Sequence, residues 1–273
     1  MSKVFVRNAF ICFSAVAAAS AHANVTFYDL IKLGDFSQTS TAQPVTADGY
    51  RWSGRIFTDT PGEATSGTLT DPSENDYSMN AVDPQQIGYF SSEFADLASL
   101  DAAVPGGNYQ YSIDGGTLSP ATAILSLPTT FMPDAVPYFS AASFAKIMAF
   151  NPFVSNTLDW NTFTNTSTDP TYFKLNFFTV YDLTAGGVAF SGAGDSSYQS
   201  DTIAANTLIA GHTYDFVVDF SSRFEQANAG FGTGTALEGF DYDTGVIATA
   251  VPEPVTMLLL APGIFFLARR RKA

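Results

Sequence analysis

Carboxyl groups are this chain's main chemical resource: 26 Asp and Glu stand against 12 Lys and Arg, with two His and one Cys in 273 residues. Glycoside hydrolysis needs only two carboxyls about 5 to 9 Å apart, so acids beside sugar-stacking aromatics are the first candidates. Asp159 precedes Trp160, and Asp241 and Asp243 flank Tyr242. Each also has a simpler role as a turn or strand-edge residue. The same oxygens suit calcium: Asp71, Glu74 and Asp76 form one candidate set, Asp241 and Asp243 another. Neither has the spacing of an EF-hand loop. No other cofactor is expected.

The remaining chemistries find little support. His212 is the only histidine after position 23, so a site built from several imidazoles cannot form in one exported chain. A Ser-His-Asp triad would depend on His212 alone. No Gly-x-Ser-x-Gly elbow occurs, and Gly194-Asp195-Ser196 lies in a Gly/Ser-rich stretch late in the chain. No Gly-x-x-x-x-Gly-Lys phosphate loop is present. The expectation is a protein without catalytic residues.

The two ends say more. Lys3 and Arg7 precede an apolar run over residues 9–19, and small-x-small sites follow at Ala19-Ser20-Ala21 and Ala21-His22-Ala23. This is the layout of a leader that the Sec translocon threads and signal peptidase removes, here after Ala23. A retained N-terminal helix is the alternative, but the run is short and ends in a cleavable motif. At the other end Pro252-Glu253-Pro254 opens an apolar run over residues 255–268, closed by Arg269, Arg270, Arg271 and Lys272. Fourteen helical residues reach about 21 Å, short of a bilayer's ~30 Å core. The four basic residues compensate: they hold that end in the cytoplasm and can snorkel outward.

This layout resembles the PEP-CTERM sorting domain, in which a Pro-Glu-Pro motif, one apolar helix and an Arg-rich end follow one another. The resemblance implies a transmembrane helix over 255–268, recognition by an exosortase, transient residence in the inner membrane, and release to the cell surface of a bacterium that makes exopolysaccharide. Pro252, Glu253 and Pro254 are then the sorting motif, and Arg269–Lys272 the basic anchor. A plain C-terminal tail anchor is the alternative. The stretches LDAAVPGGNYQYSID, LDWNTF, FFTVYDLTAG and NTLIAGHTYDF are similar to bacterial PEP-CTERM proteins with a β-sandwich body, a likeness that carries no catalytic motif.

With the leader removed, Cys12 goes too, and the body over 24–250 must be held by packing alone. It keeps six basic residues against 25 acidic ones, which excludes nucleic acid as a partner, since phosphate binding needs clustered Lys and Arg. Its Phe, Tyr and Thr content favours strands. The expected fold is an all-β, Ig-like or jelly-roll-type antiparallel sandwich with one or two short helices. Its N-terminal β-rich part spans 24–116 and its C-terminal sandwich part 117–250, the two forming either one domain or two.

Within the body, residues 25–27, 50–57, 109–113, 121–127, 158–160, 172–183, 188–190 and 240–247 read as strands. Residues 91–103 and 140–150 read as helices; 37–49, 58–86 and 226–239 read as loops and turns. Residues 206–223 hold the clearest signal. Leu208 and Gly211 precede Tyr214, Phe216, Val218 and Phe220 in strict alternation, while Asp215 and Asp219 take the opposite face. A Tyr opening a strand after a Leu-x-x-Gly corner predicts a tyrosine corner, its hydroxyl tied to the preceding loop. The functional expectation is an exported surface or matrix protein associated with exopolysaccharide and biofilm. The alternatives are a carbohydrate-binding module, stacking sugars on exposed aromatics, and a glycan-acting hydrolase with an acid pair.

Overall fold

The computed structural model of the protein describes residues 24–127, 133–164, 172–226, 231 and 235–251. The leader with Ala21 and Ala23, the Pro252-Glu253-Pro254 motif, the expected helix over 255–268 and the Arg269–Lys272 anchor lie outside the described residues. Among the described residues no helix is long and apolar enough to cross a membrane.

The chain forms β1 (Val25–Ser37), β2 (Gly49–Thr58), β3 (Ser66–Thr70), β4 (Asp76–Asp83), β5 (Gln86–Phe90), α1 (Leu97–Ala103), β6 (Gly107–Gly115) and β7 (Ala121–Leu127). It continues with α2 (Ala141–Met148), β8 (Asn156–Asp159), β9 (Tyr172–Asp182), β10 (Val188–Asp195), β11 (Ser200–Ile203), β12 (Thr213–Gln226) and β13 (Thr235–Thr249). Eleven strands share one sheet in the order β10-β9-β12-β13-β1-β2-β5-β4-β3-β6-β7, and β8 and β11 form a separate ribbon. The all-β sandwich with two short helices is therefore present, but it is not wholly antiparallel. β1 and β13 pair in parallel, from Phe27 beside Thr235 to Ser37 beside Gly245. Parallel neighbours cannot be joined by a tight turn; here everything between the first and last strands serves as the connection.

The long sheet folds over itself. The Tyr111 hydroxyl on β6 donates to the Asp29 carbonyl on β1 at 2.7 Å, and the Tyr28 hydroxyl on β1 donates to the Ile124 carbonyl on β7 at 2.9 Å. These bonds set β6 and β7 across from β1, and Leu30, Trp52, Ile56, Tyr109, Tyr111 and Leu125 fill the space between. A second core lies on the same face of the same sheet, since successive strand residues alternate sides: on β13, Ala236 and Phe240 enter the first core, Val246 and Ala248 the second. There Phe178, Phe216, Val218 and Phe220 are covered by Ile147 of α2 and by Leu158 and Ile203 of the ribbon. Each such side chain contributes about 1.5 to 3 kcal/mol on burial.

The seam between the cores is polar and specific. Lys32, only 1% exposed, bonds Asp101 of α1 at 2.8 Å and lies over the Phe240 ring. Gln38 meets the Phe139 backbone through both ends of its amide, at 3.0 and 2.8 Å. The tyrosine corner forms as expected: the Ile209 N–H donates to the Tyr214 hydroxyl at 2.7 Å, and Gly211 turns the chain at φ +85°. A positive φ at this position is what glycine supplies without strain.

Four local expectations are corrected. The helix expected over 91–103 begins only at Leu97, capped by Asp96, because Tyr50 and Phe94 exchange backbone hydrogen bonds at 2.9 and 2.7 Å and fix Phe94 as a bridge to β2. The polar span 58–86 contains β3 and β4, which bury little more than Leu69 and Met79. The strand seen in 25–27 runs ten residues further, its polar members paired rather than exposed. Part of the expected 226–239 loop is sheet, since β12 ends at Gln226 and β13 starts at Thr235.

Candidate functional site

The densest concentration of titratable groups lies on the sheet face opposite the two cores. β12 and β13 pair with Asp219 beside Asp243, Ser221 beside Asp241 and Arg223 beside Gly239. Side chains at paired positions share a face, so three carboxyls and one guanidinium are forced together by register alone. The β1 and β2 pairing adds Asp29 beside Arg55. Asp29, Asp219, Arg223, Asp241 and Asp243 are all buried.

The pairing geometry is specific. Arg55 grips Asp29 with two nitrogens, its Nε donating to Oδ1 at 2.9 Å and its Nη2 to Oδ2. Arg223 Nη2 donates to Asp241 Oδ2 at 2.8 Å. Gly239 makes room for that contact, since a Cβ there would collide with the Arg223 guanidinium. The nearby Asp29 and Asp241 charges hold the Arg55 pKa above its usual value against the opposing effect of burial. Carboxyls outnumber guanidiniums, and the excess shows in their pKa values. Burial first, then the fields of Asp241 and Asp243, hold Asp219 well above the usual carboxylate range, with Arg223 opposing. Asp241 is also pushed up by burial, while Arg223, Ser221 and Arg55 pull it down.

A second unusual acid lies on the core side. Glu238 sits between Leu30 of β1 and Phe224 of β12 and is fully buried. One carboxyl oxygen accepts from the Tyr172 hydroxyl at 3.4 Å, the other has no hydrogen-bond partner among the described residues, and burial pushes its pKa up to about 8. Glu238 and the Asp219 cluster face opposite sides of the sheet, so they cannot converge on one glycosidic bond.

The residues singled out in the sequence are placed as follows. Asp241 and Asp243 come together, but Tyr242 points to the other face, its ring against Phe36 with centroids 5.3 Å apart. Asp159 accepts from the Ser143 hydroxyl at 2.7 Å, and Trp160 is buried with its Nε1 donating to the Tyr198 carbonyl. Trp52 is buried too, edge-on to Tyr77. Neither tryptophan offers a sugar-stacking face. Asp71 is occupied by the backbone N–H groups of Ser73 and Asn75, the Asn75 amide and the Tyr77 hydroxyl, which lower its pKa despite burial. Asp76 accepts from Thr70, and among the described residues no group of three or more acids, His or Cys is arranged to hold a metal ion. Asp195 organises its own turn through Ser197. His212 bonds Asp182 at 2.8 Å, and Asp182 is itself tied to the N–H groups of Thr184 and Ala185. Among the described residues no serine hydroxyl bonds His212.

Sequence reading missed Arg223, Arg55 and Asp29 as one set, and it missed Glu238 on the other face. A usable signal existed for the first group: Asp219, Ser221 and Arg223 alternate with the apolar residues of a strand, a pattern normally assigned to solvent. Nothing in the sequence distinguishes Glu238.

No protein-family model matches the chain, and no curated protein matches it. Among solved structures, a two-domain fibronectin type III segment of chicken tenascin is 13% identical over 72% of this chain and 92% of that one, with a TM-score of 0.25. The BSP domain of a biofilm associated protein is 11% identical over 81% of this chain, which spans 29% of that one, with a TM-score of 0.22. A bacterial ice-binding adhesin is 13% identical over 84% of this chain and 65% of that one, with a TM-score of 0.24. At these scores the likeness assigns neither topology nor activity.

Proposed function

We propose that the chain is an exported cell-surface protein with no catalytic role of its own, cut at Pro252-Glu253-Pro254 by an exosortase and left in the exopolysaccharide layer. One observation carries the reading: the body's backbone pairing runs up to the residue before the motif. Gly211 N–H donates to the Ala250 carbonyl at 2.8 Å, Ala250 N–H to the His212 carbonyl at 2.9 Å, and Val251 N–H to the Phe150 carbonyl at 2.9 Å. The next residue is Pro252. Neither Pro252 nor Pro254 has an N–H with which to extend a ladder. Folded body and sorting signal thus abut with no linker between them. The leader and the basic cluster support the same reading.

The test is a fusion of residues 251–273 to a secreted reporter in a host with an exosortase. A shortened, released reporter is expected, and a full-length, membrane-held one after exosortase deletion. Processing that is unchanged by the deletion would overturn the reading.

A further inference from the structure

We propose that the end of the sandwich from which the chain leaves at Val251 is a bilayer-docking surface, resting against lipid headgroups and upper acyl chains until the tail is cut. The proposal rests on the preceding reading that residues 255–268 insert into the membrane.

Three segments meet at this end through the backbone. Val251 bonds Phe150, Gly211 bonds Ala250, and Asn206 N–H donates to the Pro152 carbonyl at 2.7 Å. The joined segments, 148–156, 204–212 and 247–251, carry Met148, Phe153, Val154, Ile209, Ile247 and Val251. These are six of the twelve exposed large apolar side chains among the described residues, each 45% exposed or more; Ile247, between the core residues Val246 and Ala248, flanks this end on the sheet face away from α2. Single exposed apolar residues need no explanation, but a gathering at one place marks an interaction surface. The same three segments contain no Asp or Glu, although acids make up about one residue in ten of the chain. The acids beside them, Asp182 against His212 and Asp215 across from Ile247, are both buried, so this end meets little repulsion from a negatively charged bilayer.

The length of chain beyond Val251 selects lipid as the occupant. Val255 follows by four residues, which span at most about 14 Å when fully extended. With the apolar run inserted, this end therefore stays within ~14 Å of the interface, which is itself several ångströms thick. Apolar side chains at that distance insert as those of an interfacial segment do. Docking also fixes the Pro-Glu-Pro motif at the depth where a membrane-embedded peptidase works.

The experiment uses the chain as it stands after leader removal, residues 24–273, which has no native cysteine, carrying one added cysteine, Phe153→Cys or Ile209→Cys, labelled with an environment-sensitive fluorophore. Thr60→Cys is the control. It lies just past Thr58, which pairs with Val25 at the start of β1, at the opposite end of the sheet from Val251. Each protein is reconstituted into phosphatidylethanolamine and phosphatidylglycerol vesicles, with and without doxyl-labelled lipid. The expected result is that all three float with the vesicles, while labels at 153 and 209 shift to the blue and are quenched several-fold more than at 60. Flotation without that difference overturns the docking surface and leaves membrane insertion of the tail standing. Loss of flotation overturns both. Flotation with unquenched labels, together with a disulfide crosslink between two unlabelled Phe153→Cys chains, assigns the surface to a second copy of the chain and likewise overturns the proposal.

Discussion

Glu238→Gln isolates one buried charge and should change the pH dependence of stability in a defined window. The native carboxyl is fully buried against Leu30 and Phe224, with one oxygen unbonded among the described residues, and burial raises its pKa from 4.5 to about 8. In the unfolded chain it ionises near the ordinary value. Between those two values the native state binds more protons than the unfolded state, so stability is greatest below about pH 4.5 and falls as pH rises toward 8. At ~1.4 kcal/mol per pH unit, Glu238 alone costs about 3 kcal/mol at pH 7, with a ceiling of roughly 5 kcal/mol above pH 8. Domains of this kind hold about 5 to 15 kcal/mol in total, so the effect is measurable.

Gln has the shape of the protonated acid and cannot ionise. The variant should match the wild type within about 1 kcal/mol at pH 4.5 and exceed it by about 3 kcal/mol at pH 7. Urea unfolding at pH 4.5, 6, 7 and 8 measures this, with an unchanged slope showing that the same surface is exposed. Asp219 and Asp241, also raised by burial, act with the same sign, so the variant should lose part of the pH slope and not all of it. Parallel pH profiles for the two proteins would refute the reasoning, because they would mean that Glu238 ionises in the folded protein as it does in water.

Three further outcomes follow from two contacts. Tyr214→Phe strands the Ile209 N–H that now donates to the hydroxyl and should cost about 1 to 3 kcal/mol; an unchanged thermal midpoint would show that the corner is held by other means. Lys32→Met should be close to neutral, because it removes a charge that burial already disfavours and leaves an Asp101 that water can reach. Asp101→Ala abandons the buried ammonium and should cost up to roughly 3 kcal/mol. Urea midpoints in the reverse order would contradict this account of the seam.

Legibility in the sequence follows how directly a segment's neighbours are its own near residues. β7 buries every second residue from Ala123 to Leu127, so alternation reveals it. The corner before β12 is local, and Gly211 and Tyr214 announce it. β1 is mostly hidden, because Asp29 and Lys32 read as breaks in an apolar strand until Arg55 and Asp101, 26 and 69 residues away, are brought beside them. β3 and β4 are hidden because Ser, Thr, Asp and Asn fill their exposed faces. The Asp219, Asp241 and Asp243 cluster is half visible: alternation sets Asp219 opposite the core, but only the register of β12 on β13 brings Asp243 directly across from it.

The parallel ladder between the first and last strands also decides how the body carries tension. β1 enters at one end of the sheet and β13 leaves at the other, side by side over the eleven residue pairs from Phe27 with Thr235 to Ser37 with Gly245. A pull between residue 24 and residue 251 drags these two strands past each other lengthwise. Every rung of the ladder is loaded at once, where a hairpin peeled from its end would give way bond by bond. A chain gripped at its two extremities therefore meets force in shear, the direction in which a strand pair resists most.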